Sequence, residues 1–193
     1  MTESTSPRSV GRPRKEDTTP NVLDVVRKLV RERGYEAVSV NLVASEAGVA
    51  KQTLYRRWPG KAEIVLDAFL ESASKADGLV YTGLEATLTK YLRGLFRHLE
   101  ADGPAIRNLI ASAQADADFL ERFTNRFVEP RAGHLRAILH SALEAGDLPP
   151  HSDLNVLTDM VHGAFWYRLL TGKALDSAYA AALAKQVSVA VTA

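Results

Sequence analysis

The stretch Ser39-Val-Asn-Leu-Val-Ala44-Ser-Glu-Ala-Gly48-Val-Ala-Lys-Gln-Thr-Leu54-Tyr-Arg-Arg-Trp58 has the spacing that two short helices need to meet across a tight turn. Such a helix-turn-helix requires a small residue where the helices touch, a Gly able to take positive φ in the turn, and an apolar anchor on the second helix. Ala44, Gly48 and Leu54 meet those three demands in order. Ser39 stands where its hydroxyl caps the first helix, and Val43, Ala47 and Val49 form the face that buries the pair against Leu29 and Val30 upstream.

The outward face of the second helix then carries Lys51, Gln52, Thr53, Tyr55 and Arg56. Gln and Arg make bidentate contacts with A or G edges, Thr meets a thymine methyl, and Tyr and Lys bind phosphate. An isolated basic cluster is usually a solvated face. On the free side of a helix-turn-helix the same residues point to DNA in the major groove.

The charge distribution points the same way. The net charge of +1 divides into 12 Lys/Arg against 7 Asp/Glu in residues 1–61 and 12 against 16 in residues 62–193. A basic first third on an acidic remainder suits a chain with one end on a polyanion. Residues 1–18 combine Ser, Thr, Pro, Gly and charge with almost nothing apolar, and are expected to be a disordered arm. The expected division is therefore an arm at 1–18, a helix-turn-helix domain at 19–61 and a second domain at 62–193.

Helical periodicity runs through the whole chain, so the expected class is all-α. Thr19-Pro20 reads as a helix start, Val22, Val26, Leu29 and Val30 as its apolar stripe, and Gly34 as its stop. A fourth helix is expected over Lys61–Ala76, and a fifth from Leu84 to a break at Asp102-Gly103-Pro104. Further helices are expected at Ala105–Ala115, Ala117–Phe127, Pro130–Ala145, Leu154–Leu170 and Ser177–Val191.

Gly34-Tyr35-Glu36-Ala37, then Ala44 to Val49, then Thr53-Leu54-Tyr55-Arg56-Arg57-Trp58-Pro59-Gly60-Lys61, resembles the N-terminal domain of the TetR family of bacterial repressors. The resemblance implies about nine helices, three forming the DNA-binding domain and the rest a ligand-binding and dimerisation domain. It further implies a homodimer through the last two helices, a palindromic operator and release by a small-molecule effector. By position it makes Gln52, Thr53 and Tyr55 reading contacts and Lys61 a phosphate anchor; an ammonium beside helix N–H groups independently suits an anion. One residue departs from the pattern: Ala50 stands where Ser or Thr usually opens the reading helix. Gln52 replaces a frequent Gly and is read as an added base contact.

Gly11-Arg12-Pro13-Arg14-Lys15 resembles the Arg-Pro core of minor-groove AT-hook arms, which makes Arg12 and Arg14 DNA contacts; a plain basic leader is the alternative. In the second domain Ile106, Leu109, Ile110, Phe119, Phe123, Phe127, His162, Phe165 and Trp166 are candidates for lining a hydrophobic effector pocket. Aromatic stripes at helical spacing are also ordinary core, and both readings stand. Ala178, Ala181, Ala182 and Ala184 would let the last helix approach a partner closely.

Enzyme chemistry is not expected. Asp159-x-x-His162 has the spacing of half a di-iron site, but no second copy occurs, and His134 and His140 fall on different faces. No phosphate loop or nucleophile elbow is present, and no cofactor or metal is implied. With no Cys, no secretory pattern in Met1–Asp17 and no run of membrane-spanning length, the expected location is the cytoplasm.

Overall fold

The computed structural model describes residues 19–70 and 79–192. Among them the chain forms nine α-helices: α1 (Thr19–Arg33), α2 (Val40–Glu46), α3 (Lys51–Arg57), α4 (Lys61–Leu70), α5 (Leu84–Ala115), α6 (Ala117–Phe123), α7 (Glu129–Glu144), α8 (Leu154–Leu170) and α9 (Ser177–Thr192). A π-turn, Thr124–Val128, joins α6 to α7. No strand occurs among the described residues, and the all-helical expectation holds. The basic arm with Arg12 and Arg14, and the expected end of the fourth helix at residues 71–76, lie outside the described residues.

Helices α1 to α3 bury Val22, Val26, Leu29 and Val30 against Val43, Ala44 and Leu54. Ser39 caps α2, its Oγ accepting from the Leu42 amide at 3.2 Å. At the other end the chain reverses at Gly48, whose φ of 64° suits a residue without Cβ. The Gly48 amide donates to the Ser45 carbonyl at 3.2 Å and the Val49 amide to the Ala44 carbonyl at 3.0 Å, so the last turn of α2 is satisfied before α3 begins.

Helix α4 belongs to both halves. Its Ile64 and Val65 are buried with α1 in the same core, and Arg27 Nη1 of α1 donates to the Ala68 carbonyl at 3.0 Å. The opposite side of α4 meets α5, α6 and the π-turn.

Helix α5 is the spine of the second half, with α9 packed along it through buried Ala180 and Ala184. The α5 N-terminus is completed from a distance: Asp147, in the loop before α8, accepts from the Leu84 amide at 3.2 Å and from the Tyr81 hydroxyl at 2.5 Å. Asp116, Asp153 and Asp176 accept from the opening amides of α6, α8 and α9.

Two expected breaks are absent. Helix α5 runs through Asp102-Gly103-Pro104 into the segment expected as a separate helix, Ala105–Ala115. Tertiary packing overrides the local signal here. Asp102 is 4% exposed in its side chain and accepts from Arg31 Nε and Nη2 at 3.0 and 2.8 Å. Gly103 admits Leu169 so closely that a Cβ would stand 3.0 Å from Leu169 Cδ1. Pro104 faces solvent, and the carbonyl deprived of its N–H belongs to exposed Glu100.

Between Phe127 and Pro130 the chain stays helical as well, changing register through the π-turn, whose last bond runs from the Glu129 amide to the Thr124 carbonyl. Pro130 falls in the first turn of α7, directly after that register change.

Candidate nucleic-acid interface

Helix α3 has seven residues and a simple division of labour. Leu54 faces inward and is buried, and Trp58, the residue after the helix, is buried with its indole Nε1 donating to Asp67 Oδ2 of α4 at 2.7 Å. These two anchors fix the rotation of the helix. Lys51, Gln52, Tyr55, Arg56 and Arg57 are left exposed, Tyr55 to 53%. Thr53 is half-buried, so of the expected contacts it presents least to solvent. Ala50 stands at the N-cap in extended conformation with no side-chain hydrogen bond, and the start of α3 depends on the Thr53 amide donating to the Ala50 carbonyl at 2.9 Å.

Ser39 is exposed at the start of α2. Its oxygen accepts within the helix cap, which leaves the hydroxyl proton free for a phosphate. Lys61 is already engaged: its Nζ donates to the Tyr35 carbonyl at 3.2 Å, lies 4.1 Å from the centre of the Tyr35 ring and pairs with Glu36 at 3.6 Å. Sequence spacing alone gave it a free ammonium. The exposed set combines planar amide and guanidinium donors with one large aromatic, the equipment for hydrogen-bonding base edges while gripping the backbone.

Several contacts that tie this surface to the rest of the molecule carry no signal in the sequence. The Tyr35 hydroxyl meets Ser112 Oγ of α5 at 3.2 Å, and burial raises the Tyr35 pKa, with the Ser112 bond opposing. Arg31 reaches Asp102 of α5. Arg122 Nη2 of α6 donates to Glu63 at 2.8 Å, and Arg126 Nη2 of the π-turn pairs with Asp67 at 2.8 Å. Asp67 therefore connects the π-turn to the end of α3 through Trp58.

The candidate pocket residues gather around that turn and around α8. Phe119, Phe123 and Phe127 form a ladder, with ring centres 6.3 and 5.0 Å apart. Phe165 packs on Phe96, His162 and Trp166 at 6.0, 5.1 and 5.1 Å. Ile106 and Leu109 are buried in the same core, and Ile110 and Trp166 are half-buried at its edge. Two open cavities, of about 270 Å³ beside Gly103, Leu169 and Leu175 and about 440 Å³ beside Thr82–Ala86, lie elsewhere and include none of the nine candidates.

On the outer face of α8, Val156, Met160, Tyr167 and Leu170 are exposed at helical spacing, with Gly163 between them. Ala178, Ala182 and Val189 of α9 are exposed too, whereas Ala184 is buried inside the subunit and is unavailable to a partner. No helix among the described residues is long and apolar enough to cross a membrane.

Residues 22–68 match the family described as bacterial regulatory proteins, tetR family, and residues 82–187 the family described as tetracyclin repressor-like, C-terminal domain. The HTH-type transcriptional regulator YdeS of Bacillus subtilis is 33% identical over 172 residues, covering 88% of this chain and 87% of that one. The DNA-binding transcriptional repressor TetR of Mycobacteroides abscessus is 28% identical over 179 residues, covering 90% and 93%. Among solved structures, TetR family transcription regulator SCO0332 superposes with a TM-score of 0.76 at 30% identity, over 91% of this chain and 99% of that one.

Proposed function

The chain belongs to the tetR family of bacterial regulatory proteins and is a DNA-binding transcriptional regulator; from that premise we propose a homodimeric repressor that a small-molecule effector releases from a palindromic operator. The observation that carries the reading is the exposed face of α3, held in fixed rotation by Leu54 and Trp58. Gln52, Tyr55 and Arg56 contact the major groove with support from Thr53, while Lys51, Ser39 and Lys61 hold phosphates and Arg12 and Arg14 enter the minor groove from the arm. The arm ends at residue 18, the reading head at 61, and the remaining residues to 193 form the sensor and dimer body.

The apolar stripe Val156, Met160, Tyr167 and Leu170, with exposed Ala178, Ala182 and Val189 of α9, supports a two-fold interface through the last two helices. Two reading heads related by two-fold symmetry match a palindrome. Effector bound among the aromatic residues displaces α6 and the π-turn, and Arg122 and Arg126 pass that displacement to Glu63 and Asp67 of α4. Because Asp67 holds Trp58, the reading helix moves with them.

The test is selection of retained fragments from random duplexes at two salt concentrations, followed by sequencing. An enriched palindrome whose affinity falls steeply with salt supports the reading, and Tyr55→Ala or Arg56→Ala then loses specific binding. Absence of enrichment at either salt would sink it. Screening small molecules for release of the selected duplex tests the effector.

A further inference from the structure

Buried charges normally come with a counter-charge, because taking an ion out of water is costly. Arg131 of α7, half-buried, has no such partner. Its guanidinium lies 3.5 Å from the centre of the Phe127 ring, Nη1 donates to the Phe127 carbonyl at 2.7 Å, and its own carbonyl accepts from the buried Tyr91 hydroxyl at 3.2 Å. No carboxylate among the described residues stands within 4.0 Å of it; Glu129, two residues earlier, pairs with Arg136 at 3.1 Å. Burial pushes the Arg131 pKa down to about 10, so the group keeps its charge at neutral pH.

An unsatisfied group lies on α8, which packs against α7. His162 is 8% exposed, and its Nε2 is buried with no hydrogen-bond partner. Burial is the main cause lowering its pKa; Asp159 of its own helix and Glu129 oppose, and Arg136 and Arg131 of α7 add to the lowering. The imidazole is therefore neutral at pH 7. It carries one N–H donor, and the positive charge of α7 reaches it. Besides those charged groups, aromatic rings pack on both residues: Phe127 under Arg131, and Phe165 edge-on to His162, with Phe96 behind it.

We propose that Arg131 and His162 hold the anionic end of the effector, and that the effector is a monocarboxylate with an apolar body. The proposal rests on the effector-binding reading above and gives that site its chemistry. The guanidinium charge, with the donors left once Nη1 has met the Phe127 carbonyl, and one neutral N–H donor match the two oxygens and single charge of a carboxylate. A phosphate dianion would bring a second charge and a third oxygen into a site of aromatic rings with nothing to answer them.

The test uses the full chain with octanoate and benzoate as probes and octanamide and benzamide as their uncharged counterparts, read by calorimetric titration and thermal unfolding. At least one carboxylate is expected to bind and raise Tm where its amide does not, and R131M to weaken that binding at least about tenfold. Without ligand, R131M should unfold at the parent Tm or above it, since it removes a half-buried charge that has no carboxylate partner; an arginine with a purely structural role would lower Tm on removal. H162L is expected to give a smaller loss. Retained binding to the selected duplex reports that R131M is folded, and R131K, with the charge but not the fork, should fall between R131M and the parent.

Amides binding as well as carboxylates, undiminished carboxylate binding by R131M, or failure of both carboxylates to bind would each overturn the proposal. Neutral compounds that release the duplex would leave the effector reading standing without the anion. A compound screen with no release at all would remove both.

Discussion

At position 50 the reading helix opens on an alanine, and no side chain answers its first free amides. A serine hydroxyl there would accept from one of them, so Ala50→Ser is expected to stabilise the protein by about 0.5–1 kcal/mol, read as a shift in the urea midpoint at unchanged slope. Gly48, two residues earlier, is open to the opposite test. A Cβ meets nothing within 4 Å, so the cost of Gly48→Ala is purely that of positive φ, about 1–2 kcal/mol, with loss of operator binding as the turn relaxes. Gly48 was legible from spacing, because a turn this tight leaves little choice of residue, whereas Ala50 stood out only against the Ser or Thr usual in the family. Lys61 and Thr53 were only half legible. The exposure of Thr53 depends on how far Leu54 rotates the helix inward, and Lys61 lies on a ring and a carbonyl brought from 26 residues away.

Among the elements, α5 shows why local stop signals mislead. Asp, Gly and Pro in succession end most helices. Here each is absorbed by something remote: Asp102 by Arg31 of α1, Gly103 by Leu169 of α8, Pro104 by solvent. Periodicity over one segment carries no record of these partners. Two outcomes follow at this scale. Pro104→Ala restores a helical hydrogen bond at an exposed site and should raise stability by about 2 kcal/mol in chemical unfolding. Arg31→Ala takes a charged donor from a buried carboxylate and should lower it by about 2 kcal/mol, discounted for the half-exposed arginine. A neutral Arg31→Ala would mean that the pair is incidental to the joint between α1 and α5.

For the whole molecule, the all-helical class and the helix-turn-helix at its head were readable from the chain, because each depends on periodicity or on one compact motif, whereas the outward stripe on α8 became visible only with the packing. The ion pairs that join head to body were not readable either, since Glu63, Asp67, Arg122 and Arg126 look like ordinary surface charges on amphipathic helices. Their test is functional. Asp67→Asn keeps an acceptor for Trp58 but removes the charge opposite Arg126, so operator affinity without effector should change little while release by effector weakens, measured as the ratio of the two affinities. Met160→Glu places a charge in the α8 stripe, where Met160 is 58% exposed in the single chain, and is expected to yield monomers by light scattering and to lose operator binding with them.

The π-turn also bears on how such a regulator is inherited. A helix that closes one turn over five residues in place of four holds one residue more than its length requires. Deleting a single codon within 124–128 should therefore leave α6 and α7 packed where they are, with the protein folded and bound to DNA. What the deletion removes is the bulge that carries Arg126 toward Asp67. On the proposed route of release, inducibility is then separable from folding by the smallest in-frame mutation a gene can undergo, and related chains one residue shorter at this point are expected to be DNA binders that respond to no ligand.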